Sequence, residues 1–104
     1  MNHMDVIDAM ETLGFECTYR SYKSPPGLPY TVIKETNDSD FKADNKNYQK
    51  IRNYDLEYYH EIKHPPSEDK IENKLDELGL SYNKLETEIE SENLIQTIYE
   101  IQLI

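Results

Sequence analysis

Five consecutive residues, His60-Glu61-Ile62-Lys63-His64, spell the H-E-x-x-H pattern in which two histidines one helical turn apart bind zinc and the glutamate serves as general base. That chemistry needs a helix. On a strand, positions i and i+4 stand about 13 Å apart at ~3.3 Å per residue, whereas both nitrogens must approach one zinc to about 2.1 Å. The preceding residues have the period of a strand, since Tyr54, Leu56 and Tyr58 alternate with Asn53, Asp55 and Glu57. Pro65 also pushes His64 away from helical dihedrals. The stretch therefore reads as the polar end of a strand, with no metal expected.

Other candidates for chemistry are weaker. Asp38, Asp40 and Asp44 suggest a calcium loop, but Ala43 and Gln49 stand where an EF-hand needs glycine and glutamate. Cys17 is the only cysteine; it reads as a small core residue, nothing nearby in sequence would lower its pKa, and it cannot form an internal disulfide, in keeping with a reducing compartment. Gly14, Gly27 and Gly79 are scattered at turns and form no phosphate-binding loop. No enzyme and no cofactor are expected. Glu86, Glu88 and Glu90 alternate with Thr87, Ile89 and Ser91, and Glu92 extends the series. This reads as a solvent-facing sheet surface, or else as a negative face for a basic partner or a passage along which DNA slides without sticking.

The elements that would hold these residues follow from period changes. Val6, Ile7, Met10 and Leu13 share a helical face that Gly14 ends. Phe15, Cys17 and Tyr19 alternate with polar residues, predicting a strand towards Tyr22 that Pro25, Pro26, Gly27 and Pro29 break. Tyr30 to Ile33 begin a second strand, a polar loop runs to about Asn47, and a third strand continues until Pro65-Pro66. The arm between Glu35 and Tyr48 is expected to serve assembly. Ser67 is expected to cap a second helix carrying Ile71, Leu75 and Leu78 and closed by Gly79. From Leu80 two more strands are expected, one carrying Leu85 and Ile89, the other running from Leu94 to Ile104 with Ile95, Tyr99, Ile101 and Leu103 inside. The prediction is one α+β domain over 1–104, order αβββαββ, with a mainly antiparallel sheet and both helices on one face.

Composition narrows the function classes. The 104 residues are 37% hydrophobic and 31% charged, with nine tyrosines supplying large rings with polar tips. So lean a chain gains buried surface by oligomerising. Its 21 acidic and 11 basic side chains give a net charge of −10, which repels a phosphate backbone and argues against specific nucleic-acid binding. No apolar run approaches the roughly 18 residues of a membrane span, and Met1 to Asp5 lack the features of a signal peptide, so a cytoplasmic protein is expected.

Several segments resemble the small tail-completion proteins of long-tailed bacteriophages and prophages of low-GC Gram-positive bacteria. They are the opening helix ending LGF, the turn SPPGLPY, the stretch FKADNKNYQKIRNYDLEYY and the closing YNKLETEIESENLIQTIYEIQLI, so that the resemblance covers about residues 5 to 104. It implies a structural virion protein that completes the tail or joins it to the head, as a homo-oligomeric ring that meets tail-tube and head-connector proteins. The protein would be found in the host cytoplasm during assembly and then in the virion. The family-like positions are Asp44, Asn45 and Tyr48 in the arm, Tyr54, Glu57 and Tyr59 on the third strand, and Glu90, Ser91 and Glu92 before the last. The alternative is an acidic binding module, such as a DNA-mimicking inhibitor of a nucleic-acid enzyme.

Overall fold

Asn2 opens the first helix, α1 (His3–Thr12): its side chain accepts from the backbone N–H of Met4 and Asp5 at 2.9 and 3.3 Å. The Asp5 carboxylate accepts from the Asn2 N–H at 2.9 Å in return, so donors left unpaired at a helix start are satisfied reciprocally. Gly14 ends the helix at φ +96°, a conformation that side chains with a Cβ seldom adopt. The computed structural model describes residues 1–36 and 52–103.

After α1 come β1 (Cys17–Tyr19), β2 (Tyr30–Glu35), β3 (Arg52–His60), α2 (Pro65–Glu77), β4 (Tyr82–Ile89) and β5 (Leu94–Leu103), the predicted αβββαββ order. The five strands form one sheet, ordered β1-β2-β3-β5-β4. All neighbours are antiparallel except β1 and β2, which run parallel with Cys17 beside Thr31. β1 is shorter than predicted because Arg20 sits at φ +71°, which bends the chain away before Tyr22.

Strand alternation divides the sheet into two faces. One carries Cys17, Ile33, Tyr54, Leu56, Tyr58, Tyr99, Ile101 and Leu103, which join Val6 and Met10 of α1 and Ile71 and Leu75 of α2 in one core. Both helices therefore cover the same face, as the sequence predicts. Fully burying each such aliphatic side chain contributes about 1.5–3 kcal/mol.

Two local expectations are corrected. α2 begins two residues before Ser67: Pro65 and Pro66 occupy its first positions after His64, where proline's fixed φ suits a helix and its missing N–H costs nothing. β4 is turned over relative to the solvent-facing row expected of Glu86 and Glu88. Tyr82, Lys84 and Glu86 share the face of Ile101, Tyr99 and Thr97, while Leu85 opposes Ile98 on the open face and is 50% exposed. The cause is electrostatic, since Lys84 reaches α2 and a carboxylate buried there.

Candidate functional site

That carboxylate is Glu68, whose side chain is only 2% exposed. Sequence reading did not pick it out. Its Oε1 accepts from the ammonium groups of Lys84 at 2.6 Å and Lys63 at 2.8 Å, while Oε2 is buried with no hydrogen-bond partner. One turn on, Glu72 accepts from Lys84 at 2.8 Å and from the Tyr99 hydroxyl at 2.9 Å. Lys63 also bonds Glu86 at 2.8 Å, so the network runs from the buried helix face to the exposed edge strand. Burial works to raise the carboxyls of Glu68 and Glu72, but the hydrogen bonds donated to each, with Lys84 prominent in both, hold them below the ordinary range. The missed signal was the spacing 68, 71, 72, 75, which places both carboxylates on the apolar stripe of α2.

The histidines of the zinc-like pattern lie outside any helix. His60 ends β3, buried, with its ring stacked on Tyr58 at 4.4 Å. Its Nδ1–H donates to the Ile62 carbonyl at 3.0 Å, which leaves Nε2 to accept from the Thr97 hydroxyl at 2.9 Å. His64 instead meets Ser67 Oγ at 2.6 Å beside the start of α2. Among the described residues, no three His, Cys, Asp or Glu side chains converge as a metal site. Protein purified without added zinc is expected to hold far less than a stoichiometric amount by metal analysis. Tightly held zinc that disappears in a His60→Ala variant would overturn this assignment.

Cys17 faces the core, and burial pushes its thiol up to about 11, which leaves almost no nucleophilic thiolate at neutral pH. A cleft of about 560 Å³ is lined by Tyr54, Asp55, Tyr82 and Glu100 among other side chains. Burial raises the Asp55 carboxyl, and the neighbouring Glu57 and Glu100 add to it. No described side chain there is a nucleophile paired with a base.

Those of the sequence-predicted interaction residues that are described do not form one patch. Asp44, Asn45 and Tyr48 lie outside the described residues, as does most of the arm from Glu35 to Tyr48. Tyr54 is a core residue, only 5% exposed, while Glu57 and Tyr59 point to the opposite face. Glu90, Ser91 and Glu92 form an exposed 3-10 turn between β4 and β5, so the expected row of carboxylates along a strand is broken at Glu90.

Glu57 and Tyr59 do meet, however, beside Tyr30, which sequence reading left out, and Glu92 is near enough to act on it electrostatically. The Tyr30 and Tyr59 rings stack at 5.0 Å, and Tyr22 meets Tyr30 edge-on at 5.4 Å. The Tyr59 hydroxyl donates to Glu57 at 2.8 Å and accepts from Gln96 at 3.0 Å, and Lys34 pairs with Glu57 at 3.1 Å. Burial raises the Tyr30 phenol, and the charges of Glu92 and Glu57 add to the shift. The register Tyr30↔Tyr59 across two strands was the readable sign, but it depends on knowing which strands pair.

The fold and this region define an α+β domain whose open sheet face bears an aromatic and acidic cluster at one end. No helix among the described residues is long and apolar enough to cross a membrane. In comparison with known proteins, the chain matches no family model and no curated protein.

Proposed function

We propose that this chain is a non-catalytic structural protein of a phage virion, which completes the tail or joins it to the head as part of an oligomeric ring. The observation that carries the reading is the run of family-like segments over about residues 5 to 104, whose implied sheet with helices on one side agrees with the fold. Fold alone does not fix function. The stacked, half-buried rings of Tyr30 and Tyr59 on the face away from the helices add support, because aromatic side chains suit a protein contact. On this reading the protein works in the host cytoplasm during assembly and then in the particle, against tail-tube and connector proteins.

The test is a phage whose copy of this gene carries Asp44→Ala with Asn45→Ala, or a shortened arm between Glu35 and Tyr48. Separate heads and tails are expected under the electron microscope, while the purified variant melts as the parent does. Normal infectious particles from the shortened arm would refute the role in assembly. The net charge of −10 favours one other reading, an acidic module that mimics DNA. Purified protein that inhibits a nucleic-acid enzyme, with virion assembly unaffected by its loss, would select that reading instead.

A further inference from the structure

Among the described residues, β4 is the outer strand of the sheet and pairs only with β5. Asn83 through Glu88 are all exposed. Such an edge offers a row of backbone donors and acceptors to another strand, and proteins commonly protect it with charges. Here the order of the charges permits one particular partner.

In a two-fold contact between identical strands, residue i meets j and j meets i. Facing residues of a continuous antiparallel sheet must also lie on the same face, so the residue on the axis faces its own copy. Few centres are available. An axis at Lys84 sets ammonium against ammonium, and one at Glu86 sets carboxylate against carboxylate. At Thr87 it would oppose Glu86 to Glu88, and at Asn83 most of the strand would be left unpaired. An axis at Leu85 places Lys84 opposite Glu86 of the second copy at both symmetry-related crossings, with Asn83 opposite Thr87 and Tyr82 opposite Glu88.

The two faces agree with this register. On the open face, Leu85 is 50% exposed beside Ile98, and the axis would bring the two Leu85 side chains together as an apolar seam. On the helix face, Glu68 and Glu72 take two of the three N–H donors of Lys84, and Lys63 bonds Glu86 Oε1. A second copy's Glu86 can accept the third donor, which would carry the ionic network across the axis.

We infer that a second copy of this chain pairs antiparallel along β4 about an axis at Leu85, so that one sheet runs through both copies. The inference rests on the strand's own charges and register, independent of any role in a virion, and purified protein tests it. A species of twice 12.3 kDa is expected by sedimentation at tens of micromolar protein and about 0.15 M salt, where self-repulsion is screened beyond ~8 Å. In a Cys17→Ser background, Leu85→Cys should form a disulfide-linked dimer under mild oxidation, because facing Cα atoms lie about 4.5–5.5 Å apart. Thr87→Cys should not, since the two copies of that position are offset by four residues, about 13 Å. Glu86→Lys opposes Lys84 with a second ammonium at both crossings, and should weaken association about tenfold while the monomer still folds. A monomer at every concentration overturns the inference. Equal crosslinking at 85 and 87, or unchanged association of Glu86→Lys, overturns the register.

Discussion

Replacing Lys84 with methionine should destabilise the protein by about 3 kcal/mol, a large part of the 5–15 kcal/mol that holds a domain of this size together. The variant removes the ammonium that serves both Glu68 and Glu72, and leaves the carboxylate of Glu68, which is 2% exposed, with Lys63 alone. Lys63→Met should cost less than about 1 kcal/mol, because Lys63 is half exposed and Lys84 remains in place. Pairing Lys84→Met with Glu68→Met should recover much of the loss, since a buried ion pair exchanged for apolar groups of similar volume is often neutral. Urea unfolding of the single and double variants measures this, and additive losses would show that the two residues do not act together.

The same network sets the acid limit. The folded carboxyls of Glu68 and Glu72 lie below their ordinary 4.5, so their contribution is complete above the unfolded value and lost as pH falls through the folded one. Without Lys84, burial gains weight against the remaining partner, and the acid loss of Lys84→Met should begin at higher pH than that of the parent.

At the alkaline end, stability should fall as pH rises above about 10, driven by buried phenols. Tyr54, Tyr58 and Tyr99 are buried, and burial raises each of them, with nearby carboxylates adding to the shift. Their folded values exceed the unfolded value of about 10, so their contribution is complete below about pH 10 and declines as pH rises towards the folded values. Between its unfolded and folded values each phenol removes at most about 1.4 kcal/mol per pH unit. Lys63 and Lys84, also raised, act in the same direction. Circular dichroism recorded with tyrosinate absorbance should show ionisation and unfolding in one step. Ionisation of these buried phenols with the sheet still intact would contradict this.

Much of this architecture was readable from periodicity. Tyr54, Leu56 and Tyr58 announced β3, and Tyr99, Ile101 and Leu103 announced β5, because both are central strands with one apolar face against the helices. β4 misled for a reason particular to its place. On an edge strand Glu86 and Glu88 looked solvent-facing, whereas their face is the inward one and its position 84 belongs to a lysine whose counter-ion lies on α2, distant in sequence. The aromatic cluster failed similarly: Glu57 and Tyr59 were picked out by resemblance, but Tyr30 and Gln96 join them only through strand pairing. The ionic network was half legible, since its helix residues share a stripe while Lys63 and Lys84 come from a loop and a strand.

The sheet order also bears on how the domain is made. β5 leaves the ribosome after the other four described strands, yet it lies between β3 and β4 and pairs with both. Until it arrives, β3 presents an unsatisfied edge together with Tyr54, Leu56 and Tyr58, and β4 has no neighbour among the described strands. Pairings this distant along the chain are slow to form, and the waiting edge is prone to aggregate. Folding must therefore follow synthesis of β5 instead of proceeding strand by strand during translation, and crowded nascent chains are most vulnerable in that interval.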